Sequence, residues 1–296
     1  MIKIIDPHIH LFDITLGQYH WLAPENPPHW PDKAQIARSF GQQDLALTGE
    51  FALAGFVHIE AGFDNEQPWR ELDFLTKHCT LPFKAIAYID ISQERASFNA
   101  TLTQLTSYDC FQGVRYILED VCDDFLSLPH IQQNLLALAE QNILFEVQFA
   151  LDNPLLTQAL LNVLTLAPTF KLVINHCGFY PINKTGQRIW YHNLKQLSAF
   201  ENVYIKCSGL EMADPKNRKI DANLLTEIIN KCVKIFSTKR VMLASNFPLT
   251  TLVMSYQSYW QALHDTLTND KTLWYQLSFE NARQLYQLPI SSLNVN

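Results

Sequence analysis

No C-x-x-C pair occurs among the six cysteines, Cys79, Cys110, Cys122, Cys177, Cys207 and Cys232, which excludes zinc-ribbon and thioredoxin-type motifs. Charge is sparse, at 17% of residues, and positive charge sparser still: 22 Lys plus Arg against 29 Asp plus Glu, a formal charge of −7. With no basic block, a nucleic-acid partner is not expected. No apolar run approaches the roughly 18 residues of a membrane-crossing helix. Residues 1–13 lack the apolar core of a secretory signal because Asp6, His8 and His10 interrupt it. Reduced thiols in a cytoplasmic protein are therefore the expectation. Glycine is also scarce, with nine in 296 residues, and no Gly-rich phosphate turn follows the first strand-like run. That absence disfavours an open dinucleotide-binding sheet.

What the chain does have is apolar material, 48% of residues, enough for a large core. Short β-rich runs begin near Ile2, Gly55, Phe83, Phe111, Ile143, Phe170, Val203 and Arg240. After the first gap they recur at roughly 30-residue intervals, the length of a βα unit. Continuous apolar runs suit strands buried on both faces. Between them lie amphipathic segments. Residues 221–236 put Leu224, Leu225, Ile228, Ile229, Cys232, Val233 and Phe236 on one stripe behind an N-cap-like Asp221. Residues 130–141 group Ile131, Leu135, Leu138 and Ala139, and Pro68 suits the first position of a helix through Leu72 and Leu75. Eight strands alternating with helices predict an α/β fold, a parallel (β/α)₈ barrel occupying residues 1–296 as one domain. The segment 14–50, with Trp21, Trp30 and several prolines, is too long for an ordinary βα connection. It is either a lid over the barrel mouth, lined by Trp21 or Trp30, or a packed surface loop.

The first run ends in Asp6-Pro7-His8-Ile9-His10. Strand geometry puts His8 and His10 on one side. At the C-terminal end of a barrel strand, where active sites assemble, two imidazoles bind a metal or a substrate.

With these motifs the sequence resembles the amidohydrolase superfamily, in the branch of sugar-acid and 2-pyrone-4,6-dicarboxylate lactonases. The likeness runs from DPHIHLFD and QYHWL through GFVHIEA, QGVRYILED and NHCGFYP to NVYIKCSGL, RVMLASNFPL and ENARQLY. It implies a barrel hydrolase that opens an intramolecular ester of a small molecule. His176, at the end of the sixth run, then joins His8 and His10 beside the reacting carbonyl. Asn175 stands where the resemblance implies Asp. Arg115, in Gly113-Val114-Arg115, is either a substrate-binding guanidinium or the partner of Glu119 or Asp120. Lys206 and Ser208 alternate at the end of the seventh run, facing the pocket or packing at the barrel top. His58, Glu60 and Trp21 are further pocket candidates, and Gln148 occupies a position where metal-dependent relatives carry a ligand.

The main departure is Ser245-Asn246-Phe247-Pro248, where the resemblance implies Asp as general base at 246. A carboxamide has no useful basicity near pH 7, and losing a base costs about 10²–10⁴-fold in rate. Three explanations stay open: another base, a barrel that only binds its sugar-acid ligand, or a trapping variant. Asn246→Asp is accordingly expected to raise turnover. With Asn246 and Gln148 at two ligand positions, the reading leans to no required metal. A weakly held zinc on His8, His10 and His176 is the alternative.

Overall fold

A computed structural model describes residues 1–119, 121–267 and 270–291. Eight strands lie in one parallel sheet in chain order: β1 (Ile2–Ile9), β2 (Phe51–Ile59), β3 (Phe83–Tyr88), β4 (Phe111–Ile117), β5 (Leu144–Gln148), β6 (Leu172–Ile174), β7 (Val203–Cys207) and β8 (Val241–Leu243). The fold is a (β/α)₈ barrel, closed between β1 and the segment after β8. There Asn246 N donates to His8 O at 3.0 Å and His10 N to Phe247 O at 2.7 Å. The Asp6 carboxylate reinforces this seam, accepting from the His8 and Ser245 amides at 3.1 Å each. Seven of the eight strands begin at or within two residues of the expected positions; β2 begins earlier, at Phe51.

The outer layer contains α1 (Trp69–His78), α2 (Arg95–Thr106), α3 (Pro129–Glu140), α4 (Pro154–Leu166), α5 (Lys184–Ser198), α6 (Ala222–Phe236) and α7 (Tyr256–Leu267). Asp221 caps α6, accepting from the Asn223 and Leu224 amides. Leu225, Ile228, Ile229, Cys232 and Phe236 face the barrel, whereas Leu224 is exposed, a position the stripe over-reaches. Pro68 occupies the N-cap of α1, one place before its first helical residue. At the chain's end α8 (Lys271–Tyr275), a π turn and α9 (Asn281–Leu285) lead to residues that join the barrel interior. Phe279, Ala282, Leu285 and Tyr286 pack there with Ile5, Val57, Ile86, Val173 and Met242. Among the described residues no helix is long and apolar enough to cross a membrane.

The long segment after β1 returns over the C-terminal ends of the strands. Phe12 and Phe40 pair through their backbones, and Trp21 Nε1 donates to Ala61 O just beyond β2 at 2.8 Å. Asp32 forms an ion pair with Arg218, from the loop between β7 and α6, at 2.6 Å. The Arg218 guanidinium lies 4.6 Å from the Trp30 ring centre.

Candidate active site

Three imidazoles meet at the C-terminal mouth. The His8 ring centre is 5.1 Å from that of His10 and 4.6 Å from that of His176. His176 is presented by an unusual turn. Residues His176, Cys177, Gly178 and Phe179 all have positive φ, between 50° and 61°. Such runs are costly and persist only where surroundings impose them. Here Trp190 Nε1 of α5 donates to Cys177 O at 2.7 Å, and Leu151 N donates to Gly178 O at 3.0 Å. Gly209 has φ +74°, and a Cβ there would come within 2.5 Å of the His176 ring, so glycine is required against that face.

Hydrogen bonds fix the tautomers. His10 Nδ1 lies 2.8 Å from Ile59 O and 3.1 Å from Glu60 O, so it is the protonated nitrogen and Nε2 keeps a lone pair. Lys206 Nζ lies 3.5 Å from His8 Nδ1, and an ammonium there can only donate, which favours the tautomer with the His8 proton on Nε2. That Nε2 is buried and has no partner. Burial is the first reason that all three imidazoles titrate well below their usual range, and the Lys206 and Arg115 charges add to it. All three are neutral at pH 7. Ser208 Oγ holds His176 Nδ1 at 3.0 Å.

Lys206 is fully buried and paired with Glu146 of β5 at 2.5 Å. Burial pulls its ammonium down to about 8, against the opposing pull of Glu146. Glu146 also accepts from Tyr286 Oη at 2.6 Å and from Asn175 Nδ2 at 2.7 Å. Arg115 lies on β4, where Gly113 lets the chain pass Leu144 O, 2.4 Å from any Cβ placed there. Its ion-pair partner is Glu60, at 2.7 Å, and its Nη1 donates to Gln148 Oε1 at 3.1 Å. Glu119 is bonded instead to Gln148, and Asp120 lies outside the described residues. Glu60 is therefore a holder of Arg115. Both His58 ring nitrogens are engaged: Nδ1 accepts from Leu11 N at 3.2 Å and Nε2 bonds Glu71 at 3.1 Å. Trp21 lines a cavity of about 330 Å³ with His20, Asn26, Pro27, Gly62 and Asn65, a lining that includes none of the three imidazoles. A larger hollow, about 610 Å³, lies outside on α5 and α6 around Lys184, Arg188 and Lys231 and contains none of these groups.

Asn246 stands in the left-handed region, φ +59°, which Asn tolerates better than most residues. Its Nδ2 donates to Glu211 Oε1 at 2.7 Å. Glu211 was not singled out by sequence reasoning, because it lies in a single 3-10 turn (Leu210–Met212), too short for a periodicity to report its direction. It is almost fully buried, its Oε2 has no partner, and burial pushes its carboxyl up to about 7.

Toward a divalent metal the donor set is mixed: His10 Nε2 keeps a lone pair, but the Lys206 and Arg115 charges act on the imidazoles and position 246 offers an amide in place of a carboxylate. Among the described residues the metal-type ligand atoms that cluster within 4.8 Å belong instead to Cys177, Cys207 and Cys232, buried between the barrel and α6.

A family model described as amidohydrolase matches residues 5–288. The chain is 27% identical over 276 residues to the Sinorhizobium fredii protein y4mH, covering 88% of this chain and 90% of that one. It is 24% identical over 253 residues to an L-fucono-1,5-lactonase of Burkholderia ambifaria, covering 84% of each. An amidohydrolase of Burkholderia multivorans, crystallised with zinc bound, superposes with a TM-score of 0.78 at 16% identity, covering 97% of this chain and all of the other.

Proposed function

Because the chain belongs to the amidohydrolase family, we propose that it hydrolyses the ring ester of a small sugar-acid lactone, without requiring a metal. One observation carries this reading: the buried, unpartnered Nε2–H of His8, set among two other neutral imidazoles. A buried donor without an acceptor costs about 1–3 kcal/mol, and a developing oxyanion repays it only as the reaction proceeds. Water attacks the lactone carbonyl. The carbonyl oxygen gains negative charge against His8 Nε2–H, with the Lys206 ammonium behind the ring supporting that charge. Arg115, held flat by Glu60 and Gln148, orients the substrate's polar face. Collapse of the tetrahedral species breaks the ring C–O bond and gives a hydroxy acid. The L-fucono-1,5-lactonase relative supports the substrate class.

The six free thiols suit work in a reducing compartment such as the cytoplasm. The test is a pH-indicator assay against five- and six-membered aldonolactones. Saturable turnover above spontaneous opening is expected. Thermal stabilisation by lactones with no turnover would replace this reading by a sugar-acid binder, the alternative that the amide at Asn246 favours.

A further inference from the structure

We infer that Glu211 is the carboxylate that activates water in this site, with Asn246 as the residue that positions it. The inference rests on the hydrolase reading above. Three contacts place Glu211 at the mouth. Asn246, at the base position of the resemblance, donates to its Oε1 at 2.7 Å. The backbone N–H of Asn246 donates to His8 O at 3.0 Å. Three residues before Glu211, Ser208 bonds His176, and the intervening Gly209 lies against that ring.

The second oxygen, Oε2, is buried and unpartnered. An acid held by one oxygen and idle at the other has a free lone pair for one proton. Its surroundings leave it near half ionisation at neutral pH. Arg218, which donates to Glu211 O from the loop before α6, favours the charged form. Tyr259 of α7 faces it as a neutral phenol, its hydroxyl committed to Ala244 O at 2.7 Å.

The proton accounting closes on this group. Oε2 takes a proton from water as the water oxygen bonds the carbonyl carbon. The ring C–O bond then breaks, and Glu211 returns the proton to the departing alkoxide. The new carboxylic acid loses its proton to solvent, and Glu211 is again a carboxylate.

The experiment compares the wild-type chain with Glu211→Gln and Glu211→Asp over about pH 5–9 on the best lactone of the panel. Folding is followed by circular dichroism and ligand binding by thermal shift. The wild type should show kcat rising through about pH 7 to a plateau. Glu211→Gln should lose about 10²–10⁴-fold in kcat and lose the rising limb, with KM changed by less than about threefold. Glu211→Asp should restore part of kcat together with the limb. A folded Glu211→Gln variant retaining half or more of the wild-type kcat overturns the base role while leaving the hydrolase reading intact. If Glu211→Gln does not fold, Glu211→Asp decides: a wild-type rate and an unshifted limb overturn the role. A wild type that opens no lactone removes the hydrolase reading, and the base with it.

Discussion

Asn246→Asp is the substitution that most sharply separates a site missing its base from one that already has it. If the site lacked a base, the new carboxylate would restore about 10²–10⁴-fold in turnover. With Glu211 beside it the expectation is different. The amide nitrogen replaced by oxygen sits 2.7 Å from Glu211 Oε1. Two carboxylates about 3 Å apart repel by roughly 5–6 kcal/mol at an effective dielectric of about 20. At 1.36 kcal/mol per pKa unit this separates their ionisations by about four units. Near pH 7 the pair therefore shares one proton and carries one charge, as Glu211 alone does when ionised. Turnover at pH 7–8 should change by less than about tenfold. The rising limb should move to lower pH, because the shared proton stabilises the singly ionised pair. Above neutrality the second ionisation is opposed in the folded state, so the variant should also lose stability as pH rises. Steady-state lactone hydrolysis over a pH series and urea melts at the same pH values measure both. A gain of about 100-fold or more at pH 7 would show that position 246 was the vacant base and would refute the role assigned to Glu211.

Other consequences follow from the same contacts. His8, His10 and His176 have depressed folded values, so their contribution is present above the ordinary histidine range and lost on acidification. Asp6, raised to about 6, and Glu211, raised to about 7, act in the opposite sense, contributing below the ordinary carboxylate range and losing that contribution as pH rises. The three imidazoles outnumber the two acids, so stability should fall on acidification below about pH 6; urea midpoints that stay level or rise as pH falls would contradict this. Lys206→Met leaves Glu146 buried without its cation, and a loss of about 3–5 kcal/mol is expected in the same melts, against near-neutrality if the pair were dispensable. Arg218→Ala removes both the ion pair to Asp32 and the guanidinium beside Trp30, so acrylamide should quench tryptophan emission more strongly, an effect absent if the segment after β1 is held by its aromatic packing alone. Cys177, Cys207 and Cys232 should react with a thiol reagent only after unfolding, whereas exposed Cys122 reacts at once; rapid native-state labelling of the three would contradict their burial.

The barrel was legible because buried parallel strands leave apolar runs at βα spacing, and because each candidate's depth follows from its place at a strand end. His8, His10, Arg115, His176, Lys206 and Asn246 are all brought to the mouth for that reason. Partnerships were less legible, since they cross between strands far apart in sequence. Arg115 pairs with Glu60, 55 residues away, in preference to its neighbour Glu119. His58 alternates with Glu60 on β2, but the end of β2 turns its ring to Leu11 and Glu71. Glu146 did leave a signal: an acid in the otherwise apolar run around β5 needs a buried cation, and Lys206 supplies it. Glu211 left none, because a loop residue has no period from which to read its direction.

Asn175 and Asn246 look like two losses of charge when only their own positions are considered. Each stands where the family resemblance implies Asp. Yet each amide donates at 2.7 Å to a buried glutamate from another element, Asn175 to Glu146 and Asn246 to Glu211. In both cases the negative charge is kept within one hydrogen bond of the implied position. An Asp in either place would face a carboxylate where the amide now meets an acceptor with a donor. The amides and the glutamates are therefore matched as pairs. A substitution made only to disable a base would leave an oxygen-lined space shaped for Asp, and it would have no reason to provide a second acid with a free oxygen. The paired arrangement is the one that the role inferred for Glu211 requires: an acid in the segment after β7 beside the amide at the end of β8, with Lys206 and its partner Glu146 paired on the neighbouring strands.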